Sequence, residues 1–140
     1  MNEVHTGIWI GGIRDVTVEN LRQHRIGAIL SLTGEGISTD SAEGLGVAAV
    51  NVHPLVDGAN SLFDFKRAIR SLQTLITSHE RVLVHCHAGR SRSPAVVAGW
   101  LVIHQGMNAD VAMELIAKQR GINIAPELQK LVRRTYPGIT

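Results

Sequence analysis

A single cysteine, Cys86, stands in 140 residues, so no disulfide can form within the chain and nothing in it asks for an oxidising compartment. Aromatic residues are scarce. Two Trp, two Phe and one Tyr are too few to wall a deep cleft. Long apolar runs are also missing: the longest, Pro94 to Ile103, is about half of the ~20 residues that span a bilayer. The opening Met1-Asn2-Glu3-Val4-His5 has no apolar signal core. These absences lead us to expect a cytoplasmic monomer without stable membrane insertion. Nor does one sign of charge dominate. The net charge of +2 is too small a surplus to argue for nucleic acid. An apolar content of 44% with 19% charged residues excludes a disordered chain, and the length fits one domain over residues 1–140, without repeats or linkers.

What the chain does have is concentrated in Val82-Leu83-Val84-His85-Cys86-His87-Ala88-Gly89-Arg90-Ser91-Arg92-Ser93-Pro94. The β-branched start reads as a buried strand. Pro94 suits the first turn of a helix, and Ala95 to Gln105 is apolar nearly throughout, which predicts a central, buried helix. The loop between strand and helix makes an anion site. Its backbone N–H groups and the helix N-terminus converge, and the helix dipole favours negative charge there. The same field favours the thiolate of Cys86, the nucleophilic form of sulfur. Arg92 offers a planar fork for two phosphate oxygens, and Gly89 is expected to take a positive φ in the cradle. A thiolate aimed at a cradled phosphate is a nucleophile for phosphoryl transfer.

The rest of the chain alternates strands and helices. Ile8–Ile10, Ala28–Leu32, Val47–Val52 and Arg81–His85 read as strands, and a fifth would have to come from Gly12–Asp15 or the Thr33 loop. Thr17 caps a short helix through His24. Thr33–Gly46 is a glycine-rich loop with one helical turn at Ser41–Leu45. Leu62, Phe65, Ile69, Leu72 and Ile76 form one face of a helix over Ser61–His79, with Ser61 and Asp64 at capping-box spacing. Asn108 caps a helix stopped by Gly121, and Pro126 opens a last helix through Arg134. Alternation of this kind predicts an α/β sheet covered on both faces, with the Cys86 loop at a carboxyl end of a strand, where such sheets place ligands.

The string His85-Cys86-x5-Arg92-Ser93 resembles the signature loop of the cysteine-dependent protein tyrosine phosphatases. Ile8-Trp9-Ile10-Gly11 and Asp57 resemble features of the dual-specificity branch, whose general acid stands at the position of Asp57. The resemblance runs from about Ile8 to Tyr136. It implies a single domain with a central mixed sheet of four to five strands flanked by helices, and the phosphate loop between the last strand and a central helix. It also implies a metal-independent phosphomonoester hydrolase with a cysteinyl-phosphate intermediate and no cofactor. Cys86 would be the nucleophile, Arg92 the oxyanion clamp and Asp57 the general acid. His85 would hydrogen-bond the loop rather than act as a base. Ser93 would hydrogen-bond the sulfur and ease its departure. His87, Ala88, Gly89, Arg90, Ser91 and Arg92 would bind the phosphate, with the His87 and Arg90 side chains turned toward substrate.

Each of these residues has a plainer alternative. Cys86 could be a small buried hydrophobe, Ser93 merely an N-cap, and His87 and Arg90 solvated surface charge. His85, Cys86 and His87 could chelate a metal, but no second pair sits at zinc spacing. His5, His24, His53, His79 and His104 read as surface or turn residues. A rhodanese-like sulfurtransferase and an inactive phosphate-binding module are the rival functions. The substrate is expected to be a phosphorylated protein or a small phosphorylated compound. A lipid phosphate is the alternative, because the loop is similar to that of the phosphatidylglycerophosphate phosphatases, which usually carry Lys where this chain has His87.

Overall fold

The computed structural model describes residues 1–137. Its sheet has five strands: β1 (Asn2–His5), β2 (Ile8–Gly11), β3 (Ala28–Ser31), β4 (Ala49–Val52) and β5 (Val82–His85). They lie in the order β1-β2-β5-β3-β4, with β5 in the middle. β5 runs parallel to β2 and β3, and β3 parallel to β4. Only β1 is antiparallel, through the register Asn2↔Ile10 and Glu3↔Trp9. The sheet is therefore mixed, as expected, but the fifth strand is not where the sequence pointed. Gly12–Asp15 forms a short 3-10 turn, and the Thr33 loop forms a 3-10 turn followed by a short helix. Asn2–His5 forms the strand instead. Gly7, at φ +77°, turns the hairpin, and Glu3 Oε2 accepts from the Gly7 N–H at 2.9 Å.

Among the described residues there are six α-helices: α1 (Val18–Gln23), α2 (Ala42–Leu45), α3 (Leu62–Ser78), α4 (Arg92–Gln105), α5 (Ala109–Gln119) and α6 (Pro126–Arg133). Alternate residues of each strand face opposite ways. Ile8, Ile10, Ala28, Leu30, Val82 and Val84 share one core with Phe65 and Leu72 of α3, Leu101 of α4, Ile116 of α5 and Leu128 of α6. Ile29, Val50 and Leu83 pack on the other face with Leu21 of α1 and Leu45 of α2. Helices thus cover both faces. β5 is buried along its whole length, as a central parallel strand should be. Residues Ser93 through Ile103 of α4 are all buried, so this helix has no solvent face. Gly99 is part of the reason. A Cβ there would stand 2.5 Å from Ile69 Cδ1 on α3.

The caps fall mostly where the sequence put them. Thr17 Oγ1 accepts from Asn20 N at 3.1 Å, and Asn108 Oδ1 from Asp110 N at 2.9 Å. Ser61 Oγ accepts from Asp64 N at 3.0 Å. Ser61→Ala should cost about 1 kcal/mol of stability. The measurement is a shift of the denaturant midpoint at constant slope, and an unmoved midpoint would show the cap to be idle. Two terminal expectations need correcting. Helix α4 starts at Arg92, so Ser91 holds the cap position and Ser93 lies inside the first turn. Helix α5 ends on an extended Arg120 rather than on a left-handed Gly121.

Three histidines read as surface or turn residues are also better described as packing groups. The His5 and His104 rings lie on Trp100 at centroid distances of 5.5 and 6.0 Å, and the His24 ring meets Trp9 at 4.8 Å. Burial pushes His104 below the ordinary histidine range.

Candidate active site

Cys86 is the first residue after β5 and is 2% exposed. From there to the start of α4 the backbone follows one pattern: its carbonyl oxygens accept hydrogen bonds from the body of the protein. His85 O accepts from Leu32 N at 2.9 Å, His87 O from Ile13 N at 2.8 Å, and Arg90 O from Asn123 N at 2.8 Å. Arg120 donates to the two carbonyls between, Nη2 to Ala88 O at 3.1 Å and Nε to Gly89 O at 2.8 Å. A trans peptide is planar, with its N–H opposite its C=O. Carbonyls held outward therefore turn the following N–H groups inward, to the side where Cys86 stands. Among the described residues, none of the N–H groups of His87 through Ser91 donates to another protein group. A ring of donors without partners, at the start of a helix, is a nest for an anion.

The loop needs its glycine. Gly89 sits at φ +70°, and a Cβ there would come within 2.6 Å of the Gly11 backbone. The end of β2 and the loop thus touch backbone to backbone. Gly12 repeats the contact, since a Cβ on it would stand 2.8 Å from His87 O.

Arg92 ties this loop to the segment that carries Asp57. Its Nη1 donates to Leu55 O at 3.1 Å, and its Nε lies 3.8 Å from Asp57 Oδ1. The second distance is an ion pair beyond hydrogen-bond reach, so the buried Nε–H has no hydrogen-bond partner of its own. The Arg92 side chain is 14% exposed and that of Asp57 54%, so a fixed cation stands beside a carboxylate open to the cavity. Asn60 shapes the Asp57 turn. Its Nδ2 donates to Val56 O at 2.8 Å and to Gly58 O at 3.1 Å, while its Oδ1 accepts from Val56 N at 2.9 Å. Asp64, the other carboxylate of this region, lies in the first turn of α3 and does not line the cavity.

One cavity of about 490 Å³ collects the site: Cys86, His87, Ala88, Arg90, Ser91 and Arg92 from the loop, Asp57 opposite, and Glu35 and Asn123 at the sides. His87 and Arg90 are exposed there, and the His87 Nδ1 lies 3.4 Å from Glu35 Oε2. His85 is buried, and its Nδ1 donates to Cys86 O at 3.2 Å. Burial pushes this imidazole below its ordinary range, opposed by the bond to the Cys86 carbonyl and aided by the nearby Arg92. A neutral ring donating through Nδ1 has no proton on Nε2, and that atom has no partner. Ser93 is fully buried, and its hydroxyl has no hydrogen-bond partner, Cys86 sulfur included.

The structure thus brings Cys86, His87, Ala88, Arg90, Ser91 and Arg92 around one cavity with Asp57, while His85, Gly89 and Ser93 lie outside its lining. Sequence reasoning missed Glu35, Asn60, Arg120 and Asn123. Of these, only Asn60 carried a local signal, as an Asn within a turn segment.

The family model for the dual specificity phosphatase catalytic domain matches residues 8–133. Among curated proteins, the chain is 33% identical over 79 residues to protein-tyrosine-phosphatase IBR5 of Arabidopsis thaliana, a match covering 56% of this chain and 31% of that protein. It is 40% identical over 60 residues to mouse phosphatidylglycerophosphatase and protein-tyrosine phosphatase 1, covering 42% and 31%. The matches thus span less than a third of either relative's length. The crystal structure of human DUSP28 superposes with a TM-score of 0.82 at 19% identity, covering 96% of this chain and 94% of that one, which is a likeness of fold.

Proposed function

The chain belongs to the dual specificity phosphatase family, and on that premise we propose that it hydrolyses phosphomonoesters through a cysteinyl-phosphate intermediate. The observation that carries this is the placement of Cys86, Arg92 and Asp57 around one cavity floored by inward N–H groups. The Cys86 thiolate attacks phosphorus and the P–O ester bond breaks, while Asp57 gives its proton to the departing oxygen. Arg92 and the loop N–H groups hold the equatorial oxygens and supply the positive field of the transition state. Water then attacks phosphorus, Asp57 takes its proton, and the P–S bond breaks to return the thiolate and release inorganic phosphate. Ser93 would turn its hydroxyl to the sulfur in this second step.

We assign phosphorylated protein, at tyrosine and at serine or threonine, as the substrate class. No Trp, Tyr or Phe lines the cavity among the described residues, so nothing demands an aromatic ester. One observation favours lipid phosphate as a second reading. Glu35 lines both this cavity and an adjoining hollow of about 300 Å³ walled by Ile13, Val16, Ile37 and Leu45, which could take an apolar tail. Mouse phosphatidylglycerophosphatase and protein-tyrosine phosphatase 1 is among the relatives. The reading includes a reducing cytoplasm, where Cys86 stays unoxidised, and a monomeric enzyme. No helix among the described residues is long and apolar enough to cross a membrane.

The purified protein should hydrolyse nitrophenyl phosphate, phosphotyrosyl and phosphothreonyl peptides, and should be inhibited by vanadate. Brisk hydrolysis of phosphotyrosine alone would refute the dual specificity. Preference for phosphatidylglycerophosphate over every peptide would favour the lipid reading, and sulfur transfer from thiosulfate without phosphatase activity would refute both.

A further inference from the structure

The mechanism above uses the inner face of the phosphate loop, while the outer face carries a cation that it leaves unused. Arg120 stands just past the end of α5, its backbone extended at φ −156°, and its side chain runs back under the loop. The guanidinium makes three bonds: Nε to Gly89 O at 2.8 Å, Nη2 to Ala88 O at 3.1 Å, and Nη1 to Asn2 Oδ1 on β1 at 2.8 Å. Among the described residues no carboxylate pairs with it.

We propose that Arg120 is a positioning residue for phosphate binding: its fork fixes the two peptide units flanking Gly89 so that the N–H groups of Gly89 and Arg90 face the anion. The inference rests on the phosphatase reading of the cavity. The two carbonyls belong to consecutive peptide planes, and the residue between them is the glycine at φ +70°. Glycine is the joint at which such planes turn most easily. A plane that turned over would replace an inward N–H with an inward carbonyl, which repels phosphate. A planar, charged fork opposes this at both planes at once, and charge-assisted bonds are the stronger kind. The cation also polarises each peptide it binds, strengthening the N–H on the far side as a donor. Asn2 in turn holds the third arm of the fork, so β1 takes part in anion binding without touching the cavity.

The test uses Arg120→Met, Arg120→Lys and Asn2→Ala in the full chain. Each is made in the active protein, to read KM and kcat with nitrophenyl phosphate, and beside Cys86→Ser, to read inorganic phosphate binding by calorimetry. Melting temperature is recorded throughout. Arg120→Met should raise KM and the phosphate Kd by about ten- to hundredfold, with a smaller fall in kcat. Arg120→Lys, which keeps the charge but can span only one carbonyl, should fall between Met and the parent. Asn2→Ala should weaken phosphate binding by about threefold to tenfold. A folded Arg120→Met protein with unchanged KM and phosphate Kd, even with a lowered melting temperature, overturns the proposal, because it makes Arg120 a tie between elements only. If the Met variant does not fold, unchanged phosphate affinity in both Arg120→Lys and Asn2→Ala overturns it equally. A parent that neither hydrolyses phosphomonoesters nor binds phosphate refutes the phosphatase reading and this inference together. An active parent with indifferent Arg120 variants refutes this one alone.

Discussion

Cys86→Ser protein should show no turnover of nitrophenyl phosphate, a loss of more than about a hundredfold, while binding inorganic phosphate at least as well as the parent. A serine hydroxyl needs a base to become a nucleophile, and in the first step Asp57 must carry its proton for the departing oxygen, so it cannot also be that base. The nearest candidate by sequence, His85, spends its Nδ1 on the Cys86 carbonyl, and its buried Nε2 meets no hydrogen-bonding group, the residue-86 side chain included. The cradle is made of backbone N–H groups and Arg92, whose partners are Leu55 O and Asp57, so removing the sulfur disturbs neither. Calorimetric titration with phosphate reads the binding, and a stopped assay reads the turnover. Residual activity above about a hundredth of the parent would count against covalent catalysis by this residue. Loss of phosphate binding would count against the loop as the anion site.

Asp57→Ala should slow hydrolysis of alkyl phosphates by roughly 10²–10⁴-fold and that of nitrophenyl phosphate far less. The proton matters most for a leaving group that is a poor anion. Nitrophenolate departs without help, whereas a serine or threonine alkoxide does not. Asp57 is well placed to supply that proton. Its carboxylate faces the cavity, half exposed, with Oδ1 3.8 Å from Arg92 Nε, the group proposed to hold the phosphoryl oxygens. The turn that carries it is braced by Asn60 rather than by Asp57 itself, so the variant should keep the loop. Asp64→Ala is the control. Asp64 sits in the first turn of α3, where its backbone N–H meets Ser61 Oγ, and its loss should touch stability and not leaving-group dependence. A leaving-group effect at Asp64 and none at Asp57 would reverse the assignment.

The parts of this site that were legible in the sequence are those encoded locally. Val82–His85 announced a strand, Gly89 a positive φ, and Pro94 the first turn of a helix. Their order along the chain dictates a loop that ends on a helix N-terminus. Asp57 was legible because a loop after β4 must open at the same end of a parallel sheet as the loop after β5. Arg120 was not legible, because its bonds reach carbonyls 31 and 32 residues back in the chain and a side chain 118 residues back. A long side chain bonding backbone leaves no spacing or periodicity to read. β1 was missed for a related reason. Val4 is its one fully buried residue, so there is no alternation to detect, and only pairing with β2 makes it a strand. Glu35 lay in a segment read as a glycine-rich loop with one helical turn. Its place at the cavity, 3.4 Å from His87 Nδ1, is set by tertiary structure and leaves no local pattern.

The contact between the Gly89 and Gly11 backbones bears on how readily this site could be redesigned. No room exists there for a methyl group, and Gly12 against His87 O is as closed. Any side chain at these positions would spread the nest before it could alter selectivity, so the frame of the site has almost no freedom to drift. The rim is the opposite case. Glu35, His87 and Arg90 are exposed, and their side chains hold no loop carbonyl, so their identities are unconstrained by folding. Natural divergence or a laboratory library that seeks new substrates would gain from varying the three rim positions and lose from varying the glycines. The anion cradle is thereby fixed in the backbone, and the rim is left to side chains that can change.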